Sequence, residues 1–325
     1  MSLKRYFFII PIASFVFGVG VLIYVYSLFQ PVGSSEAGTT RFVIPKGQAA
    51  SMIASRLQDE GLIKSSLVFR FVVKQQGFQD RLQAGSFQLS PAMSLIAIAN
   101  QLTLGTNDIW VTLPEGWRRE EIAASFSSND FPAFDSKEFL NFTLSQEGRL
   151  FPDTYLFARE STAETIYKVL SNNFQKKVVT GLAEKINNSP YDFQEALIMA
   201  SVVEREARGY EEMRHVAGIL WRRIEMGMAL QADATLQYIK GYNPQLQSWW
   251  EPPSTLDKKI ISPFNTYLNS GLPPRPIANP GLEAIKATLD PLKTNDLFYL
   301  HDRSGGIHYA ETLEKHNANV QQYLR

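Results

Sequence analysis

Eight residues without a charge, Ala196–Val203 (ALIMASVV), run directly into Glu204-Arg205-Glu206, and this junction constrains the fold more than any other stretch. With no polar stripe, the run predicts a helix apolar on every side, which is stable only inside a sizeable core. A chain of 325 residues with 45% hydrophobic content can build one, in two soluble units. Glu204 then enters the edge of that interior as a carboxylate, either paired or catalytic. Arg208, one turn on, is its natural i+4 partner. Left unpaired, burial raises its pKa until the group can both give and take a proton near neutrality. Glu206 leaves another face of the helix and reads as a supporting or solvated group.

Two later segments are too particular for connecting loops: Leu230–Thr235 (LQADAT) and Ser262–Gly281, with SPFNTY and GLPPRPIANPG inside it. Gln231, Asp233 and Thr235 form a polar trio suited to hydrogen-bonding a sugar, although Asp233 also reads as an Asx turn or helix cap. Asn265 and Thr266 either bind substrate or tie down their loop. Tyr267 is the more telling member, because an aromatic ring with a polar tip stacks on a sugar face and still finds a partner.

Several chemistries are disfavoured. Thirty-two basic residues balance thirty-two acidic ones without a basic cluster, so no nucleic-acid partner is expected. Cysteine is absent, which removes disulfides, thiol nucleophiles and cysteine-ligated zinc. The four histidines, His215, His301, His308 and His316, include no H-E-x-x-H, so neither a metal nor another cofactor is expected, even with His301 and His308 facing each other across a hairpin. There is no G-x-S-x-G and no S-x-x-K.

Tyr6–Phe29 carries no charge, and as a helix it would reach roughly 36 Å, enough to cross a hydrocarbon core of about 30 Å. Lys4 and Arg5 precede it, which puts the amino terminus in the cytoplasm and the bulk of the chain outside. The run is longer than a signal-peptide core and no A-x-A site follows, so an uncleaved anchor is expected. Residues 1–30 are therefore the cytoplasmic tip and transmembrane helix. Residues 31–40 (PVGSSEAGTT) are a flexible linker.

Structure resumes at Arg41, and a pattern repeats. Ile44-Pro45-Lys46-Gly47 followed by Ile53, Ala54 and Leu57 recurs at the same offsets as Leu113-Pro114-Glu115-Gly116 followed by Ile122, Ala123 and Phe126. Each copy predicts a strand-helix-helix-strand unit, a duplicated small module rather than a solenoid. Helices are expected over Glu195–Ala207 and Glu211–Met226, the second closed by Gly227. Pro244–Pro291 reads as irregular, and Leu297–Leu300 with Ile307–Tyr309 as a hairpin around Ser304-Gly305-Gly306. The fold class is α+β: an N-terminal transmembrane helix, an α+β module over 41–108 and a larger mixed α+β domain over 109–325.

These blocks together resemble the YceG-like (MltG) family of endolytic murein transglycosylases. The likeness covers almost the whole chain: the single amino-terminal span, the IPKG opening, EGRLFPDTY at Glu147–Tyr155, ASVVERE at Ala200–Glu206, LQADAT, and SPFNTY followed by GLPPRPIANPG. It implies a LysM-like module over 41–108 and a catalytic domain over 109–325, with Glu204 as the single general acid and base. Gln231, Asp233, Asn265 and Tyr267 fall in segments that line the family's cleft, with Thr235 and Thr266 beside them. The implied reaction cuts the bond between N-acetylmuramic acid and N-acetylglucosamine and leaves a 1,6-anhydro end. The implied partners are peptidoglycan glycan strands, the inner membrane in a single pass with the bulk periplasmic or extracytoplasmic, and peptidoglycan synthases. Three positions depart from the family pattern: Ala234 stands where proline is usual, Arg275 where glycine is common, and Arg222 where asparagine often precedes the arginine at 223. Two other readings compete, an inverting muramidase using Glu204 with Asp233 and a non-catalytic wall-binding adaptor.

Overall fold

The computed structural model of the protein describes residues 6–34, 37–106 and 108–324, with side chains from Phe15 onward. The chain divides into two compact units at Trp110/Val111.

The first unit opens with α1 (Tyr6–Phe29). Among the described residues no helix is long and apolar enough to cross a membrane. The described side chains of α1 begin at Phe15, and Phe15–Phe29 is only roughly 22 Å long against a core of about 30 Å. The side chains of residues 6–14, part of the expected span, therefore lie outside those described. Then follow β1 (Thr40–Ile44), α2 (Ala50–Asp59), α3 (Ser66–Gln75), β2 (Gly85–Leu89) and α4 (Leu95–Gln101). β1 and β2 are antiparallel, with Phe42 opposite Phe87. Strand alternation turns Phe42, Ile44, Phe87 and Leu89 inward onto Ile53, Leu57, Phe69 and Ile98. Ser65 and Ser94 cap α3 and α4 by accepting from the backbone N–H groups of Val68 and Ala97.

The second unit begins with the same order of elements. β3 (Asp108–Thr112) pairs with β4 (Thr154–Ala158), and between them lie α5 (Arg119–Ser128) and α6 (Ser136–Phe142). α7 (Ala163–Phe174) follows β4 as α4 follows β2. Phe126 is the hub of this piece, its ring meeting Phe157 edge-on at 5.2 Å between centroids.

After α8 (Ala183–Asn188) comes α9 (Phe193–Glu206), and every residue of Ala196–Val203 in it is buried. Asp192 starts this helix by accepting from the N–H groups of Gln194 and Glu195. α10 (Tyr210–Glu225), α11 (Asp233–Lys240) and α12 (Leu282–Leu289) pack around it, which is why it needs no polar face. Residues 241–281 between α11 and α12 hold one short 3₁₀ turn, Asp257–Lys259. The hairpin β5 (Phe298–His301) and β6 (Ile307–Ala310) leads into α13 (Leu313–Tyr323). Its register sets His301 opposite Ile307 and Leu300 opposite His308, so the two histidines do not face each other. His301 instead meets Glu212 at 2.9 Å and His308 meets Asp302 at 2.7 Å.

Candidate active site

Glu204 and Glu206 are about 200° apart around α9 and so leave nearly opposite sides of its last turn. On the Glu204 side lies a strap, residues 277–281, laced to its surroundings. One turn before Glu204, Ser201 Oγ accepts from the Ile277 N–H at 3.0 Å and donates to the Ile198 carbonyl at 2.7 Å. Asn279 is fully buried. Its Nδ2 donates to the Trp117 carbonyl (3.0 Å) and Glu147 Oε1 (2.8 Å), and its Oδ1 accepts from the Leu150 N–H (2.9 Å). The Gly116 N–H donates to the Asn279 carbonyl, joining the strap to the Leu113–Gly116 turn.

The strap ends on Glu204. The Gly281 N–H donates to Glu204 Oε2 at 2.9 Å, while Oε1 makes no hydrogen bond among the described residues. Burial pushes the Glu204 carboxyl up to about 7; the Gly281 N–H opposes this, and the carboxylates of Glu115 and Glu283 reinforce it. Two glycines make the crowding possible. A Cβ on Gly281 would sit 1.9 Å from Glu115 Oε1, and one on Gly116, at φ +77°, would meet Arg205 Nη1 at 3.0 Å. The expected alternative pair with Arg208 does not form, since among the described residues Glu204 makes no ion pair.

The Glu206 side is open. A cavity of about 380 Å³ is lined by Glu206, Arg223, Gln231, Asp233, Tyr267 and Tyr299, among others, with Lys258 and His301 also on its wall. Glu206 Oε1 accepts from the Ala234 N–H in the first turn of α11 at 3.3 Å, and Oε2 accepts from the Tyr299 hydroxyl at 3.1 Å. Burial raises the Glu206 pKa; these two donors oppose the rise and Asp233 adds to it. Tyr267 donates to Asp233 Oδ1 at 2.6 Å, and Lys258 Nζ lies 4.5 Å from the centre of the Tyr267 ring. Arg223 braces the wall by donating to the carbonyls of Leu297 and Leu230, both at 2.7 Å. Gln231 holds φ +51°, a conformation costly for a residue with a side chain, and its N–H donates to the Thr266 carbonyl.

The six expected substrate-contacting residues therefore divide. Gln231, Asp233 and Tyr267 line the cavity. Asn265, Thr266 and Thr235 are buried. Asn265 Nδ2 donates to the carbonyls of Lys258 and Ile260, and its Oδ1 accepts from the Tyr267 N–H. The Thr235 and Thr266 hydroxyls lie 2.9 Å apart, and Thr266 Oγ1 accepts from the Ala232 N–H. These three shape the loop that presents Tyr267 and Gln231. Glu204, the expected catalytic group, is not on the cavity wall with them, and Glu206 occupies that place. Glu204 directly follows the apolar run, whereas Glu206 is enclosed by α11 and β5, which are distant in sequence. Arg223 and Tyr299 gave no sequence signal of their own.

The YceG-like family matches residues 42–322 of the chain. A protein of Bacillus subtilis (strain 168) named endolytic murein transglycosylase is 31% identical over 333 residues, covering 94% of this chain and 90% of that protein. One of the same name from Streptococcus pneumoniae serotype 2 is 27% identical over 340 residues, covering 93% of this chain and 61% of that longer protein. The crystal structure of a yceG-like protein from Listeria monocytogenes aligns with a TM-score of 0.57 at 26% identity, over 87% of this chain and 99% of that one.

Proposed function

Because the chain belongs to the YceG-like family, we propose that it is a lytic transglycosylase that cuts peptidoglycan glycan strands internally and leaves 1,6-anhydro ends. The observation that carries this reading is the cavity that gathers one half-buried carboxyl, Glu206, with the Asp233–Tyr267 pair and the side chain of Gln231. In the first step Glu206 donates its proton to the glycosidic oxygen as the bond to C1 of N-acetylmuramic acid breaks. In the second, the resulting carboxylate takes the proton of the muramic acid 6-hydroxyl as O6 closes on C1. One proton leaves and one returns, and no water is consumed. Burial raises the Glu206 pKa, which favours its role as proton donor, and the Tyr299 hydroxyl and Ala234 N–H hold the carboxylate between the steps. Asp233, fixed by Tyr267, supplies negative charge beside the oxocarbenium-like centre.

The acid–base role moves from the expected Glu204 to Glu206 because the cleft residues surround the latter. Glu204 supports a second reading, since its carboxyl is raised to about 7 and Oε1 is free of hydrogen bonds among the described residues. Digesting purified strands in heavy-oxygen water separates all readings. The proposed chemistry yields unlabelled anhydro ends that disappear in Glu206→Gln and persist in Glu204→Gln. Loss confined to Glu204→Gln would return the role to Glu204, and labelled reducing ends as the main product would establish a hydrolase.

The same proposal extends to location and partners. The uncharged Tyr6–Phe29 helix behind Lys4-Arg5 supports a single-pass anchor with an outward bulk. A reporter fused after residue 325 should be active only outside the cytoplasm. The β1-α2-α3-β2 order supports a LysM-like glycan-holding module, and peptidoglycan synthases are the expected partners of an enzyme acting on new strands.

A further inference from the structure

A second cavity in the same unit, about 300 Å³ in volume, is lined by Arg149, Arg275, Glu147 and Gln194 among others. No carboxylate pairs with either arginine among the described residues. Arg149 Nη2 donates to Gln194 Oε1 at 2.7 Å and Arg275 Nη1 to the Leu144 carbonyl at 3.1 Å, while Arg275 Nε is buried without a partner. Two guanidiniums on one small cavity, with donor capacity left over, suit a planar anion.

Glu147 provides the second, independent sign of a ligand. It is 3% exposed. Its Oε1 accepts from the Arg119 N–H (3.0 Å) and Asn279 Nδ2 (2.8 Å), but Oε2 is buried with no partner. An orphaned buried oxygen is costly unless something met in use completes it. Burial, reinforced by Glu120, pushes this carboxyl up to about 8, against the Arg118 and Arg119 charges and the Arg119 N–H. At neutral pH it is therefore mostly the acid, whose O–H is a donor and whose charge does not repel an anion. Glu120, the nearby acid, is itself occupied by Arg118 and Arg119 at 2.7 and 3.2 Å.

We propose that this cavity binds a carboxylate of the stem peptide on the glycan substrate, held by Arg149 and Arg275 and completed by Glu147. The proposal rests on the peptidoglycan reading above, because the anions that such a strand carries beside its sugars are carboxylates. The cavity belongs to the same frame as the cleft. From Glu206 along α9 to Ser201, across its bond to the Ile277 N–H and back two residues to Arg275, the backbone path is on the order of 20 Å. An extended stem of four residues spans up to roughly 14 Å of that path.

The test uses the full chain in detergent micelles, with two readouts. In the first, a synthetic stem tetrapeptide with free carboxylates is titrated onto the protein and followed calorimetrically, without turnover. The parent should bind saturably, the Arg149→Gln/Arg275→Gln double variant at least about tenfold more weakly, and Arg275→Lys between them. In the second, cleavage is compared on stem-bearing strands and on amidase-treated strands that expose only the lactyl carboxylate. The double variant should raise KM about tenfold on stem-bearing strands with kcat within about twofold, and leave the treated strands unchanged. Equal peptide binding by parent and double variant, a KM change shared by both strand types, or one confined to treated strands would each overturn the proposal. Should the parent yield no anhydro ends from any strand, the activity reading fails while the peptide titration still decides this one.

Discussion

The two sides of the last turn of α9 each carry a glutamate but put the groups around it to opposite ends. On the Glu204 side Ser201 and Asn279 spend their hydrogen bonds on neighbouring backbone and on Glu147, the Gly281 N–H holds Glu204 itself, and the glycines let chains approach where a side chain would collide. On the Glu206 side Gln231, Asp233, Tyr267 and Tyr299 surround about 380 Å³ of unfilled space. Both glutamates have pKa values raised by burial. A perturbed carboxyl therefore does not by itself mark the chemistry. In the proposed reading, the unfilled volume beside Glu206, lined by groups that still have donors and acceptors to offer, is what favours it.

The largest effect expected from this contrast is on turnover. Glu206→Gln keeps the size and the acceptor for the Ala234 N–H but cannot ionise, so anhydro-end formation should fall about 10³- to 10⁴-fold with the melting temperature little changed. Glu204→Gln should cost less than about tenfold. Mass analysis of digested strands reads both, and the reverse ranking would exchange the roles of the two sides.

The next effect is on stability and belongs to the strap. Asn279→Ala removes bonds to Trp117, Glu147 and Leu150 together and leaves buried groups without partners, which should cost about 3 kcal/mol, or roughly 6–12 °C in melting temperature. Thermal unfolding of the full chain measures it. A loss under about 1 kcal/mol would mean that the strap is not held as a unit.

What could be read beforehand follows the same divide. The buried run Ala196–Val203, the repeated strand-helix-helix-strand order and the β5–β6 hairpin are encoded in local pattern, and all appear. The hairpin histidines do not face each other as expected, because the turn is fixed by Asp302, whose Oδ1 accepts from the Ser304 and Gly306 N–H groups. Gln231, Asp233 and Tyr267, which their segments single out in the sequence, line the cavity. Asn265, Thr266 and Thr235 come from equally particular segments but turn inward, since loops as long as 241–281 need internal ties to hold a shape, and sequence does not say which polar residue ties and which one binds. That α11 and β5 close over Glu206 is a long-range contact without a local signature.

A smaller catalytic effect tests the cavity wall. Asp233→Asn keeps the contact to the Tyr267 hydroxyl but removes the charge, so turnover should drop about 10- to 30-fold with the products still anhydro and unlabelled by heavy-oxygen water. A near-complete loss would instead give Asp233 a proton-transfer role of its own.

The smallest effect returns to the strap side, through Glu147. Its pKa in the folded protein is raised from 4.5 to about 8, first by burial. Between these values the folded protein keeps a proton that the unfolded chain has released. The contribution is thus full below about pH 4.5, falls as pH rises, and is lost above about pH 8, at a rate of at most about 1.4 kcal/mol per pH unit. Glu204, raised to about 7, acts in the same direction over a lower window, but it is less buried than Glu147 and solvent reduces its share. Asp153, Glu251 and Asp257 have lowered pKa values and act only in acid, outside the range measured. Melting temperature should therefore decline between pH 6 and 8, and Glu147→Gln, which has no proton to lose there, should flatten the decline by roughly 2–4 °C per pH unit. Calorimetric scans at pH 6, 7 and 8 read the slope directly. An unchanged slope would mean that Glu147 is ionised in the folded protein, and the arginine-lined cavity would then face a carboxylate of its own instead of offering a neutral acid to one brought by the substrate.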